Sequence, residues 1–427
     1  MSNVIDLLRN DFSTFAQRKF NAVDALILCE LSYINMPMSV PKYCYNPKNI
    51  STVSINELLR IEDYSSMFAS GSPKVDKFRR KLLLAVASSP RYRGIRVGEY
   101  LERFDESNIE ESLEQQFAGV TFDLSDCEGI DNPHTLVVAY RGTDNTLVGW
   151  KEDFNMAFRC PVPAQESAAE YLTSVVQRYS KRYSNKNFFK KLFANKLFAR
   201  FSKSSVGAQN NNPNIIVVGH SKGGNMAAYA AMRLDATSQK LGNLVSKIYS
   251  MDGPGFAWDV VDTSVFANVS SRIEKVVPQS AFIGLIMDTG VPYKVTSADS
   301  IGLMQHFGMF WQIKDGDFDY CDCVTPRALA VSKAANEWMM SLPFEERKRR
   351  IDSVYSIFSS LGYSTFDEMS SHWSEVVPKL LKIAMHMDSN THELIRSVMN
   401  AFTLAGGSSD KKASGKSVWK GFECDFA

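Results

Sequence analysis

A serine set between glycines, directly after an apolar run, is the first place where this chain could do chemistry. Residues Ile215–Tyr229 read IIVVGHSKGGNMAAY, and Gly219-His220-Ser221-Lys222-Gly223 fits G-x-S-x-G. Ile215, Ile216 and Val217 are β-branched and, with Val218, predict a short buried strand. The Ala- and Met-rich stretch from Asn225 to Met232 predicts a helix. Strand, tight turn and helix are the setting that pushes such a serine out over a sheet edge. There the helix amides favour developing negative charge. Strand and helix can approach each other only if the flanking residues are small, and Gly219 and Gly223 meet that need. A turn that merely packed would not require serine between two glycines. A phosphate-binding loop would carry lysine after the second glycine of G-x-x-x-x-G-K-[ST], whereas Lys222 precedes Gly223 and Gly224.

A serine that attacks an acyl group needs two hydrogen-bond donors aimed at the oxyanion. The backbone N–H of Lys222 is one candidate, as the residue after the nucleophile. The other usually comes from the loop after an earlier strand. His134–Tyr140 (HTLVVAY) predicts a buried strand running into Arg141-Gly142-Thr143-Asp144, so Gly142-Thr143 is in the right place. Thr143 offers a hydroxyl besides its amide; position alone equally allows a capped turn leading into a helix. The serine also needs a base, usually an imidazole. Of the six histidines, His220 lies inside the turn and is read as pointing elsewhere, and His134 starts a strand. His372, His386 and His392 fall on C-terminal helices, which leaves His306, in a loop after the final strand. Predicted strands at Leu244–Met251, ending in Asp252-Gly253-Pro254-Gly255, then Ile273–Val277 and Tyr293–Thr296, separate Ser221 from His306. Serine, acids at later strand ends, then histidine is the chain order of an α/β-hydrolase triad.

The elements that must position these residues fit that order. The chain has 427 residues, 44% hydrophobic, enough for one large α/β core with a smaller helical piece. A net charge of +1 gives no overall pull towards nucleic acid or membrane, so no nucleic-acid partner is expected. The start MSNVIDLLRN has no basic segment followed by an apolar one, and no uncharged apolar run reaches the ~20 residues that span a bilayer. Seven scattered cysteines suit a reducing compartment, and Cys321-Asp322-Cys323 has no second pair nearby with which to hold a metal. A cytoplasmic protein is therefore expected, with signal-independent export left open.

Asn21–Tyr33 predicts a helix capped by Asn21 or Asp24, Ser72–Ser88 predicts a longer one, and Ser167–Tyr183 another. Residues 187–205 carry Phe189, Leu192, Phe193, Leu197 and Phe201 near one helical face, with Lys190, Lys191, Lys196, Arg200 and Lys203 beside them. Such a basic amphipathic helix suits a lid or a transient membrane-surface contact, or else a helix that packs its phenylalanines and solvates its lysines. From Pro326 to about Leu404 the pattern is helical, and the Gly/Ser/Lys-rich tail reads as flexible.

The arginine–glycine–threonine loop with Trp150 and Asp153, GHSKGGNMAAYAA, DGPGF at Asp252–Phe256, VPQSAFIG at Val277–Gly284 and Gln305-His306 with Trp311 together resemble the Mbeg-like family. This is a bacterial group of lipase-like α/β-hydrolases related to class 3 lipases. FNAVDALILCELSYINM and the C-terminal helices resemble it too, so the likeness covers nearly the whole chain. The resemblance implies a serine hydrolase with Ser221 as nucleophile, His306 as base, and Thr143 with Lys222 forming the oxyanion hole. Class 3 lipases place their acid just after the strand corresponding to Ile273–Val277, but that turn here reads Pro278-Gln279-Ser280-Ala281. The family's histidine is often followed by aspartate, and here Phe307 follows. Some lipases take the acid from the end of the strand after the serine's strand, which makes Asp252 the first choice. Asp288 is the alternative, with Asp299 behind it, should Asp252 only cap its turn.

The expected fold is thus an α/β-hydrolase, a mostly parallel sheet flanked by helices. Its expected parts are an N-terminal helical extension (1–109), a catalytic core (110–325), a C-terminal helical domain (326–405) and a tail (406–427). The expected reaction is hydrolysis of a carboxylic ester, of lipid or acyl type, through an acyl-enzyme and without metal or organic cofactor. Rival expectations are a thioesterase or other acyl hydrolase, and a non-catalytic binding protein on a hydrolase scaffold.

Overall fold

The computed structural model describes residues 2–45, 50–105, 115–144, 147–197 and 212–360, with a few isolated residues between 362 and 379. Eight strands follow one another in chain order and in space: β1 (Val53–Ser54), β2 (Arg96–Asp105), β3 (Gln115–Asp123), β4 (Thr135–Tyr140), β5 (Asn214–His220), β6 (Val245–Met251), β7 (Ile273–Pro278) and β8 (Tyr293–Thr296). β9 (Ile313–Lys314) and β10 (Asp317–Phe318) form a separate hairpin, and β11 (Tyr320–Cys321) closes the main sheet beside β8. β4 to β8 are parallel to one another, while β1 to β4 pair antiparallel, as does β11 with β8. Tyr140 pairs with Gly219 and His220 with Met251, so β4, β5 and β6 end side by side. The chain leaving those three ends is Arg141–Thr143, Ser221 and Asp252.

Helices cover both faces of the sheet. On one side lie α1 (Val4–Asn10), α2 (Ala22–Ser32) and α4 (Pro73–Ser88), joined by the single turn α3 (Tyr64–Met67). α5 (Leu147–Asn155) follows β4; α6 (Pro163–Leu197), α7 (Lys222–Thr237) and α9 (Thr263–Ser270) cover the opposite side, with the short α8 (Gln239–Gly242) after α7. Along β5, Ile216 and Val218 enter the core shared with α2, and Ile215 and Val217 the core shared with α7. Successive strand residues point to opposite faces, so a strand covered on both must be apolar throughout, which is why this stretch shows no alternation. All eleven residues of α2 are buried. Its start is a capping box of Asn21 and Asp24, and Asp24 is also paired by Arg91, whose Nε and Nη2 each lie 2.7 Å away. A carboxylate at 0% exposure is tolerable only with such partners. The nine-stranded, mostly parallel sheet between two helical layers is an α/β-hydrolase fold.

The expected boundary at 109/110 falls between β2 and β3, which pair from Arg96↔Asp123 to Asp105↔Gln115. β2 was not legible as a strand because its pattern is broken by charge. Glu99 sits at φ +57 in a bulge, is buried, and reaches Arg178 at 2.7 Å. α10 (Pro326–Ser341) and α11 (Phe344–Ser359) dock on the core through polar ties. Arg347 grips Asp259 at 2.9 and 2.6 Å and donates to Ala157 O; Asn336 joins the backbone of Leu285 and Met287. α6 extends the helix expected over Ser167–Tyr183 at both ends. The side chains of the expected lid segment 187–205, its residues 198–205, the helical pattern beyond 380 and the tail lie outside the described residues. Among the described residues, no helix is long and apolar enough to cross a membrane.

Candidate active site

β5 delivers Ser221 into a turn that glycines make possible. A Cβ at Gly219 would stand 2.0 Å from Gly223 O, and one at Gly223 2.3 Å from Tyr140 O, so neither position accepts a side chain. Ser221 itself adopts φ +58 and ψ −134 as the residue before α7. A non-glycine residue there is strained, and it is held by the Ser221 N–H bond to Met251 O at 2.9 Å and by the Gly224 N–H bond to Ser221 O at 2.8 Å.

The neighbouring strand ends in a carboxylate. Asp252 follows β6 at φ +47, a left-handed conformation that aspartate and asparagine tolerate better than most residues. Its N–H donates to Val276 O at 2.8 Å, and its Oδ1 accepts from Gly284 N–H at 3.0 Å. Oδ2 lies 2.6 Å from His306 Nδ1. A carboxylate can only accept, so Nδ1 carries the hydrogen and Nε2 is left as the basic nitrogen. The turn bearing His306 is fixed on both sides: Trp311 Nε1 donates to Gln305 O at 2.7 Å, and Gln305 Oε1 accepts from Ser280 N–H at 2.7 Å. Ser280 thus occupies the turn that lacks a carboxylate, and anchors the histidine's neighbour instead. Asp288 is exposed and its Oδ1 accepts from Gly290 N–H, while Asp299 is also exposed; neither is joined to His306. No hydrogen bond joins His306 to the Ser221 hydroxyl among the described residues. Catalytic bonds of this kind commonly tighten only with substrate bound.

His220, read from the sequence as pointing elsewhere, belongs to this site. Its Nε2 lies 2.7 Å from His306 O and its Nδ1 2.9 Å from the Tyr33 hydroxyl, at the end of α2. The carbonyl accepts, so Nε2 holds the hydrogen and Nδ1 accepts from Tyr33. Burial and the facing His306 keep His220 well below the usual histidine range, hence neutral. Arg79 stacks 4.3 Å over the Tyr33 ring and reaches Glu30 at 3.5 Å. Burial raises the Glu30 carboxyl against the pull of Arg79. Nothing local in the sequence ties α2 to His306; the link exists only through the fold.

The Gly142–Thr143 loop lies against the serine. A Cβ at Gly142 would come within 2.9 Å of Ser221 Cβ, 2.4 Å of His220 O and 2.3 Å of the Tyr33 hydroxyl. Thr143 Oγ1 donates to Asp153 Oδ2 at 2.5 Å, so that hydroxyl is committed to α5. Burial pushes the Asp153 carboxyl up to about 6, against the opposing pull of Lys222 and of the Thr143 hydrogen bond. The Lys222 side chain runs inward to the same region: Nζ donates to Gln116 O at 2.9 Å, Gln116 Oε1 at 2.8 Å and Glu152 Oε2 at 3.0 Å.

No curated protein is significantly similar to the chain. Among solved structures, M37 lipase is 14% identical, with 62% of this chain and 70% of that one covered and a TM-score of 0.30. Lipase II from Rhizopus niveus is 15% identical, with 64% and 91% covered and a TM-score of 0.27. The lipase from Rhizopus microsporus var. chinensis is 15% identical, with 68% and 86% covered and a TM-score of 0.27. At these scores the likenesses add nothing to the geometry. The model of one family, described as Mbeg1-like, matches residues 86–356, a span that holds Gly142, Ser221, Asp252 and His306. That span is more than half of the chain, which therefore belongs to the Mbeg1-like family.

Proposed function

We propose that this protein is a serine hydrolase of the lipase or esterase type, cleaving carboxylic esters through an acyl-enzyme on Ser221. The observation that carries this reading is the 2.6 Å bond between His306 Nδ1 and Asp252 Oδ2. It leaves a basic nitrogen on a histidine held at the strand end next to the strained serine. In this reading Ser221 Oγ attacks the ester carbonyl and passes its proton to His306 Nε2. The amides of Lys222, at the head of α7, and of Thr143, in the loop whose Gly142 lies against Ser221, receive the oxyanion. Collapse expels the alcohol, which takes the proton back from His306. Water then attacks the acyl-serine by the same route, with Asp252 orienting the imidazole throughout.

A fluorophosphonate probe tests this directly. Wild type labels, and Ser221→Ala and His306→Ala do not; a folded wild-type protein that stays unlabelled, with and without lipid vesicles, rejects the reading. The phenylalanine- and lysine-rich stretch 187–205 supports a lipid or other long acyl ester as substrate. Deleting it is expected to lower hydrolysis of dispersed lipid much more than hydrolysis of a short ester, and equal losses would remove that support.

A further inference from the structure

The residue after the serine has a side chain as well as an amide, and that side chain is wholly inside the protein. Lys222 and Glu152 are both at 0% side-chain exposure, 3.0 Å apart. A buried ion pair contributes little to stability by itself, because desolvating both charges offsets their attraction. Its geometry here is specific. The three ammonium hydrogens meet three acceptors, Gln116 O, Gln116 Oε1 and Glu152 Oε2. Glu152 is held in turn by the N–H groups of Gln116 at 3.0 Å and Ala164 at 2.7 Å.

From this hub two arms reach the loop beside the serine. Because Lys222 fixes the carboxamide oxygen of Gln116, the amide nitrogen faces the other way and donates to Gly142 O at 3.4 Å. On the other arm, Lys222 Nζ lies 3.8 Å from Asp153 Oδ1, and the second oxygen of Asp153 holds the Thr143 hydroxyl. We infer that the Lys222 side chain is a positioning residue, fixing Gly142 through Gln116 and Thr143 through Asp153 so that the Thr143 amide and the Lys222 amide face one oxyanion. One residue thus supplies one donor and aligns the other. The proposal rests on the hydrolase reading for its chemistry, but its structural content stands apart from it. The charged and polar groups facing Asp153 are Lys222 from α7, Glu152 from its own helix, and Thr143 and Asp144 from the loop. Removing Lys222 leaves only the Thr143 hydroxyl favouring the carboxylate, so Asp153 takes up its proton at higher pH.

The test compares wild type, Lys222→Met and Lys222→Met/Glu152→Gln, the last removing the partner charge so that a buried unpaired Glu152 does not unfold the protein. Three measurements are made: fluorophosphonate labelling rate, kcat and KM on p-nitrophenyl butyrate across pH, and amide hydrogen exchange over residues 141–144. Both variants are expected to label about 100-fold more slowly, the scale of losing one oxyanion donor. kcat falls at unchanged KM, the acid limb of the pH profile moves upward in Lys222→Met, where Glu152 keeps its charge, and exchange over 141–144 quickens in both variants while β4 and β5 stay protected. Wild-type labelling in either variant, or unchanged exchange over 141–144, overturns the proposal. If wild type itself never labels but exchange still responds to Lys222→Met, the hydrolase reading fails and the positioning role stands.

Discussion

The imidazoles of His220 and His306 lie against each other with ring centroids 4.6 Å apart, yet only His306 is bonded to a carboxylate. His220 instead donates to the His306 carbonyl and accepts from Tyr33. Two chemically identical side chains are thus divided by their partners, one oriented by a carboxylate and the other held as a neutral strut beneath it.

That division makes Asp252 the acid to test. Asp252→Asn is expected to fold as wild type, because asparagine tolerates φ +47 and its side-chain oxygen can still accept from Gly284. Its esterase rate should fall by about 10⁴-fold, the scale for losing the orienting carboxylate of a triad. Asp288→Asn, at an exposed site, should leave the rate unchanged. Steady-state kinetics on a short ester with both variants checks this, and a large loss in Asp288→Asn would reassign the acid.

Gly142→Ala should lose activity without losing the fold. Its methyl would collide with the Tyr33 hydroxyl, the His220 carbonyl and Ser221 Cβ, all within 2.9 Å, so the loop must move outward. A loop displaced by about 1 Å loses rate on the order of 100-fold. Circular dichroism alongside the kinetics separates this outcome from unfolding.

Tyr33→Phe removes the donor to His220 Nδ1 and leaves a buried acceptor unmet. The expected cost is about 1–3 kcal/mol in urea unfolding, since an orphaned polar group loses its hydration without compensation. The Arg79 stack over the ring is retained, so the ring should stay in place.

Asp153 should trade stability for function. Its carboxyl titrates at about 6 when folded, against 3.8 for an ordinary aspartate. The folded state therefore holds that proton more tightly, and ionising it costs stability in full above pH 6, the cost fading as pH falls from about 6 towards 4. Asp153→Asn should stabilise the protein by about 2 kcal/mol at pH 7.5, after discounting for partial exposure, and by little at pH 4. Urea midpoints at the two pH values measure the difference, and an equal gain at both would assign the titration elsewhere.

Much of the candidate site was legible because its parts are local. Strand, glycine-flanked serine and helix occupy one stretch, Asp252 directly follows β6, and His306 stands in a single turn after β8. β5 falls close to its expected limits because a parallel strand covered on both faces leaves a continuous apolar run, while β6 to β8 show such runs only towards their C-terminal ends, past Lys247, Lys275 and Lys294. β2 was hidden because Glu99 is buried by pairing with Arg178, a residue far along the chain. The roles of Tyr33 and of the Lys222 side chain were hidden likewise. A hydroxyl at the end of α2 and an ammonium at the start of α7 gain meaning only from partners that the sheet brings near.

The burial of α2 bears on how the protein can be cut. A plasmid encoding the family-matched span alone would begin at residue 86, downstream of α2, Tyr33 and Arg79. It would bare the apolar side of β4 and β5 and leave His220 without its donor. Insoluble or inert protein from such a truncation would report a missing helical layer and say nothing about the serine.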